Sequence, residues 1–400
     1  MQFIFVKKRW GDDLRICFIT TMVYKDGGVS RVLSALASRL SAEYDVTVAT
    51  FEDSKYEDRK KYNLSKRVKV DFLEPYYRKC YVRRAIHKIN QKTGLLNKVN
   101  SSKLWNEVYI PEAMKKYWRK YIEDNQYDVV IGVQGKCAYI LGSMATDLTC
   151  KTIGWQHNSY EAYFEQPGRN YYWNQDFLFE KYIPKLDYYI VLNEHDERML
   201  KEKKNINAIT IYNPRSFISK EKSDVTAKRF LGVGGLRPAK GFDLLIESFE
   251  IFAKNDSEWI LDIYGDGDER EHLQKIIDEK KLRDRVRLKG VTRDICPEML
   301  HSSALLLSSR WEGMPMVVLE ALETGLPVIS YDITAIEPLI TNGVEGYIVE
   351  RFDTNAFADA MTHIADDIEI RKCMGRFAAE KSVQFDIERI VDCWKKILEG

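Results

Sequence analysis

Four hundred residues, 45% of them hydrophobic, can bury a sizeable core and exceed what one core usually organises, so two domains are expected. With 61 basic residues against 60 acidic ones the chain is close to neutral, which excludes a surface built throughout for nucleic acid, and no run approaches the roughly 18–20 apolar residues of a membrane span. The opening "MQFIFVKKRW" puts apolar residues before charges, the reverse of a secretion signal, and the seven cysteines contain no CxxC pair, so reduced and mostly buried thiols in a cytoplasmic chain are expected, without a disulfide framework or a zinc site.

Short β-branched or apolar runs alternate with longer helix-like stretches: "LRICFIT" 14–20, "DVTVATF" 45–51, "VKVDFL" 68–73, "YDVVIGV" 127–133, "KTIGWQH" 151–157, "YYIVL" 188–192 and "AITIY" 208–212. This is the strand–helix–strand rhythm of a parallel sheet. A polar segment without apolar period, 213–229, reads as a linker. The rhythm restarts with "FLGVGGL" 230–236, "WILDIYG" 259–265, "RVRLKG" 285–290, "ALLLSS" 304–309, "PVISYD" 327–332 and "GYIV" 346–349. The pattern predicts an α/β protein of two doubly wound, Rossmann-like domains, 1–213 and 229–385, joined by the linker 214–228 and facing a central cleft, with a C-terminal helix in 386–400 crossing back to the first domain.

In "SSRWEGMPMVVLEALETGLPV" a carboxylate, Glu312, precedes Pro315, which suits a first helical turn, and a second, Glu320, lies about one and a half turns in. The amides of Gly313, Met314, Met316 and Val317 would then face an anion. At ~1.5 Å per residue the two acids are too far apart for a pair flanking a single bond and better suit two ends of one ligand. Upstream, "GVGGLRPAKGFDLL" gives a strand, a turn at Gly235, then Arg237 and Lys240 before a helix. Cations are disfavoured at a helix start, so the pair asks for a bound anion such as a diphosphate. "GDGD" at Gly265–Asp268 contains an Asp-x-Asp but reads as a tight turn rather than a metal site.

The motifs "GGLRPAKGFDLLI", "IYGDGDER", "VRLKGVTRD" and "LLLSSRWEGMPMVVLEALETGLPVISYD", in this order and spacing, resemble the donor domain of family 4 glycosyltransferases, most closely those of bacterial surface-polysaccharide type. The resemblance covers Leu231 to about Phe385 strongly, and the first half mainly through "TTMVYKDGGVSRVLSALASRL" 20–40 and "WQHN" 155–158. It implies a GT-B fold, a nucleotide-diphospho-sugar donor, retention of anomeric configuration, and neither metal nor cofactor. Residue by residue it assigns Glu312 to the sugar hydroxyls, Glu320 to the ribose, Arg237 and Lys240 to the diphosphate, and His157 to the donor sugar. It further sets Gly27 and Gly28 against the phosphates and Gly265, Gly267 and the Val291 loop beside the nucleotide.

The implied reaction transfers a hexose or N-acetylhexosamine, with a uridine nucleotide preferred, to a glycan or polyprenyl-diphosphate-linked acceptor of O-antigen, capsule or exopolysaccharide synthesis. An epimerase or phosphorylase of the same fold remains an alternative.

Residues 76–120 carry twelve Lys and Arg against Glu107 and Glu112, a formal +10, with Tyr76, Tyr77, Tyr81, Trp105, Tyr109, Tyr117 and Trp118 interleaved. This reads either as solvated helices or as a patch that docks the chain on an anionic membrane, at the inner face of the cytoplasmic membrane. A polyanion-binding protein using the patch is a further alternative, although no nucleic-acid-binding signature accompanies it and no nucleic-acid partner is expected.

Overall fold

In a computed structural model, residues 14–25, 27–74, 81–98, 102–165, 172 and 174–400 are described. The chain forms two compact units, Met1–Ile211 with Ile390–Gly400, and Tyr212–Arg389.

In the first unit the strands are β1 (Arg15–Thr20), β2 (Asp45–Thr50), β3 (Lys69–Phe72), β4 (Val129–Val133), β5 (Lys151–Trp155), β6 (Tyr188–Val191) and β7 (Ile209–Thr210). Its helices are α1 (Gly28–Leu40), α2 (Tyr81–Thr93), α3 (Ser102–Tyr109), α4 (Glu112–Asp124), α5 (Gln134–Gly142), α6 (Asp176–Tyr182) and α7 (Glu194–Lys204). The second unit contains β8 (Arg229–Val233), α8 (Phe242–Ala253), β9 (Ile260–Tyr264), α9 (Arg270–Glu279), β10 (Val286–Gly290), α10 (Cys296–Leu300) and β11 (Ala304–Leu307). It continues with α11 (Met316–Glu323), β12 (Val328–Tyr331), β13 (Gly346–Val349), α12 (Thr354–Asp366) and α13 (Ile368–Ser382), and α14 (Ile387–Glu399) closes the chain.

Both sheets are parallel, with orders β3-β2-β1-β4-β5-β6-β7 and β10-β9-β8-β11-β12-β13. Each reverses direction beside its first strand, between β1 and β4 and between β8 and β11. Crevices at such switch points, outside the carboxyl ends of the strands, are where open α/β sheets take ligands. The central strands β4 and β11 are buried along their whole length, because helices cover both faces, and this is why they read as continuous apolar runs rather than alternating ones.

The C-terminal helix α14 packs its Trp394 edge-on against Trp155, ring centroids 5.0 Å apart, and both indoles are fully buried. Lys151 Nζ closes the end of α14 by donating to the carbonyls of Ile397 (2.8 Å) and Leu398 (3.0 Å), a cation on the negative end of the helix.

The polar segment read as a linker is part of the second unit. Arg215 pairs with Glu323 and Asp386, the amide of Ser219 donates to Glu323 Oε1 (2.8 Å), and that of Ser223 donates to the Thr324 carbonyl (2.8 Å). Glu323 is buried at the end of α11, so these bonds offset the cost of burying its charge. The thiols are less buried than expected: among the described residues Cys17 and Cys137 are buried, Cys150 and Cys296 intermediate, and Cys373 and Cys393 exposed, all unbridged. No helix among the described residues is long and apolar enough to cross a membrane.

Candidate functional site

In the second unit the loops leaving β8 and β11 flank the switch point, and they carry Arg237, Lys240 and Glu312. Lys240 Nζ touches Glu312 Oε1, and Ser309 Oγ donates to the same oxygen at 2.7 Å. Lys240 and Glu312, which the sequence assigns to different parts of a ligand, therefore meet across the two loops. The lysine stem lies over the β8 turn, where a Cβ on Gly234 would stand 3.3 Å from Lys240 Cδ. Arg237 is exposed and makes no ion pair among the described residues, which leaves its guanidinium open to a ligand.

The two loops are locked together by groups that sequence reasoning did not single out. The Arg310 amide donates to the Ala239 carbonyl (2.8 Å), and Ser308 Oγ donates to that of Lys240 (2.9 Å). The Arg310 guanidinium donates to the Pro238 carbonyl (2.6 Å) and grips Asp243 with two bonds of 2.9 and 2.6 Å. Burial works upward on the Asp243 carboxyl, but the bonds to Arg310 outweigh it and hold the group below its ordinary value. Gly241, at φ 62°, is where the loop turns into α8, and a Cβ there would stand 2.1 Å from the Ser308 carbonyl oxygen, so only glycine permits this approach. The signal for this lock is present in the sequence as "KGFD" and "SSR", but the partners lie 67 residues apart.

The predicted glycines divide by role. A Cβ on Gly265, which has φ 145°, would stand 1.8 Å from the Gly234 carbonyl oxygen, and one on Gly267 would stand 2.4 Å from that of Leu236. These two glycines let the β9 turn pack backbone to backbone on the β8 turn. Gly235 and Gly27 are different: a Cβ on Gly235 meets nothing nearer than 3.8 Å, and on Gly27 nothing within 4 Å, so they have open space beside them.

Pro315 is the N-cap of α11 rather than its first residue, and the helix starts at Met316. Glu320 is 2% exposed within α11. Met314 is buried, and its sulfur accepts from the Asn213 amide at 3.1 Å, so this residue packs rather than lines the switch point. Gly313 and Val317 are buried, Met316 is half-buried, and Val291 is 71% exposed just beyond β10.

In the first unit Gly27 caps α1 at φ 150° and Gly28 is the first helical residue, both exposed. The loop before them is braced by the buried Glu52, beyond the end of β2, whose Oε2 accepts from the amides of Val23 (2.6 Å) and Tyr24 (2.8 Å). Lys61 Nζ adds a bond to the Tyr24 carbonyl (2.8 Å). Across the switch point Gln134, at the start of α5, has φ 69°, a conformation costly for a residue with a Cβ, and its Oε1 accepts from Thr21 Oγ1 at 3.4 Å.

His157 follows β5, with its ring 4.2 Å from that of Trp155. Burial lowers its pKa to about 3, and Nε2 is buried with no hydrogen-bond partner among the described residues. A neutral imidazole with an unused nitrogen is equipped to bind a hydroxyl. The adjacent Gln156 is fixed by Tyr189 OH (2.9 Å) and by its own bond to the Asn158 carbonyl (2.7 Å), which sets the path of the backbone on both sides of the histidine.

Residues 215–381 match the family model described as Glycosyl transferases group 1. The chain is 28% identical over 291 residues to an uncharacterized glycosyltransferase of Haemophilus influenzae, covering 72% of this chain and 80% of that protein. It is 31% identical over 167 residues to the Escherichia coli UDP-Gal:alpha-D-GlcNAc-diphosphoundecaprenol alpha-1,3-galactosyltransferase, covering 41% and 43% of the two chains. Staphylococcus aureus TarM, of which a mutant was solved with Fondaparinux, alpha-GlcNAc-glycerol and UDP, superposes with a TM-score of 0.74 at 16% identity over 97% of this chain and all of the other. That likeness is one of fold.

Proposed function

We propose that this chain, whose residues 215–381 match the glycosyl transferases group 1 and which has the two Rossmann-like domains of a GT-B fold, moves a hexose or N-acetylhexosamine from a nucleotide-diphospho-sugar, with retention, to a bacterial surface glycan. The observation that carries the proposal is the meeting of Lys240 and Glu312 across the β8/β11 switch point, beside the exposed Arg237. A sugar diphosphate carries hydroxyls next to an anion, and this pair together with Arg237 offers a carboxylate for the first and cations for the second.

In the reaction we assign to the site, the C1–oxygen bond to the β-phosphate breaks as the acceptor oxygen bonds to C1 from the same face. The acceptor proton passes to the departing phosphate oxygen, and Arg237 and Lys240 stabilise the charge that develops there. No protein nucleophile and no metal are required by this scheme. Glu312 then holds the hydroxyls of the donor sugar, Glu320 the ribose, and His157 a donor-sugar hydroxyl. Uridine is the favoured base, in keeping with the names of relatives that use or bind uridine nucleotides. The acceptor is a glycan or a lipid-linked glycan, reached from the cytoplasmic side of a membrane.

The test is a panel of nucleotide sugars screened for thermal stabilisation and then for transfer, with the anomeric configuration of the product read by NMR. Stabilisation by one sugar nucleotide and a retained product are expected. An inverted product, or isomerised donor without transfer, refutes the scheme.

A further inference from the structure

The stretch 76–120 reads from its charge as one basic, aromatic surface, but its described parts separate into two kinds of helix. On α4 three of the four cations are paired with acids, Lys116 being the exposed exception: Lys115 and Arg119 pair with Glu112 (2.5 and 2.6 Å), Arg119 also with Asp147 (2.8 Å), and Lys120 with Asp124 (2.9 Å). Its tryptophan, Trp118, is 1% exposed and packs edge-on against Phe51, and Tyr109 before it is buried, so neither ring is available to a membrane interface. Residues 76–80 and 99–101, with Arg78 and Lys79 among them, lie outside the described residues.

The helix α2 differs. Its sequence, YVRRAIHKINQKT, holds Arg83, Arg84, Lys88 and Lys92 and no acid. One face is fastened inward: Asn90, buried, donates to Tyr109 OH (2.7 Å) and Asn97 Oδ1 (3.1 Å), and the His87 ring lies 4.8 Å from that of Tyr109. The opposite face carries Val82, Ala85 and Ile89, which at 3.6 residues per turn fall in one stripe, with Arg84, Lys88 and Lys92 exposed along its flank. Val82 is 70% and Ile89 54% exposed, and Leu95, just past the helix, is 55% exposed. Isolated exposed apolar residues need no explanation, but a row of them beside cations only is the signature of a helix lying in a bilayer interface.

We infer that the outer face of α2 is a docking surface for an anionic lipid bilayer, with Val82, Ile89 and Leu95 entering the headgroup boundary and Arg84, Lys88 and Lys92 pairing with lipid phosphates. A soluble polyanion would use the cations but not the apolar row, so the lipid surface is the occupant that accounts for both. The inference rests on the glycosyltransferase reading for its purpose, bringing the enzyme to a membrane-borne acceptor, and not for its evidence.

The test is flotation of the full chain with phosphatidylcholine vesicles, with and without phosphatidylglycerol, at low and high salt. Wild type is expected to bind the anionic vesicles, weakly at high salt. Arg84→Ser/Lys88→Ser/Lys92→Ser should lower the partition coefficient about 100-fold at ~1 kcal/mol per cation, and Val82→Ser/Ile89→Ser about 10-fold. The α4 variant Lys115→Ser/Lys116→Ser/Lys120→Ser should stay within a few-fold of wild type. The inference is overturned if wild type ignores anionic vesicles, if the α2 variants bind like wild type, if the α4 variant loses as much as the α2 triple, or if binding is to heparin or DNA but not to vesicles. Transfer to a soluble acceptor, measured on the same α2 variants, is expected to be unchanged. Its absence in wild type for every donor would count against the enzymatic reading and leave the docking result standing.

Discussion

The lock between Arg310 and Asp243 offers a sharp test of how the second unit holds its charges in place. Removing either side chain loosens the loop that carries Lys240 against the loop that carries Glu312, since guanidinium bonds of 2.6–2.9 Å reinforce the backbone-carbonyl bonds that join them. A charge-assisted hydrogen bond contributes about 1.5–3 kcal/mol when dry, and this pair, with side chains 24% and 35% exposed, is partly screened, so about 1–2 kcal/mol of stability should be lost in Asp243→Ala. The larger effect is on turnover, because a misplacement of ~1 Å in a group that stabilises charge costs about 100-fold. Asp243→Ala and Arg310→Ala are each expected to lower kcat/KM for transfer by about 10- to 100-fold, and the double variant to be no worse than the poorer single, because both residues serve one contact. The folded pKa of Asp243 lies below its unfolded value near 3.9, so the pair's contribution is complete above pH ~4 and fades only as pH falls through the folded value. The variants should therefore leave the shape of the pH profile between about 5 and 8 unchanged. Additive losses in the double variant, or wild-type turnover in either single, would refute the reasoning.

Other expectations concern the predicted site residues. Glu320→Ala should weaken donor binding by about 1.5–3 kcal/mol, the loss of a buried charged acceptor, with calorimetry as the measurement. Arg237→Ala and Lys240→Ala should each lower kcat about 100-fold and combine non-additively. Only Lys240→Ala should also destabilise the fold, by roughly 1–3 kcal/mol, because Glu312, 13% exposed, loses its cation, whereas Arg237 is a surface residue. Transfer should persist in EDTA; a requirement met only by added Mn²⁺ or Mg²⁺ would return the Asp266–Asp268 turn to consideration as a metal site.

Twelve of the thirteen strands among the described residues fall within runs visible in the sequence, and β8 begins one residue before its run, because a sheet covered on both faces writes itself as local apolar segments. The candidate residues stood out for a different reason: four motifs in order and spacing resemble a family's donor domain, and the roles of Glu312, Glu320, Arg237 and Lys240 follow from that resemblance rather than from any local pattern. What local pattern cannot carry is partnership between distant positions. Glu52 reads as one more acid after a strand, yet it anchors the loop before Gly27 through two amides 28 and 29 positions away. The same limit explains the basic stretch, where charge counting adds the lysines of α2 and α4 alike, and only their surroundings separate cations mostly paired with acids from those flanking an exposed apolar row. It also explains Gly265 and Gly267, whose need for glycine comes from the neighbouring β8 turn.

The state of His157 can be tested apart from its role in transfer. Its imidazole has a folded pKa of about 3, set by burial, against about 6.5 unfolded. The unfolded chain therefore binds the proton first as pH falls, and the native state loses stability between pH ~6.5 and ~3 with a slope approaching 1.4 kcal/mol per unit. His157→Asn removes this group from the balance, so relative to wild type the variant should gain about 2 kcal/mol on going from pH ~7.5 to ~5. Urea unfolding of the two proteins at both values, compared through their midpoints, reads the difference directly. If His157 is neutral and meets the donor sugar, the wild-type rate should show no protonation step from this residue across that range, while His157→Asn lowers kcat/KM. Parallel urea curves for variant and wild type, or an imidazole resonance titrating near pH 6.5, would mean that the ring is solvated, and its unused Nε2 would no longer argue for a bound hydroxyl.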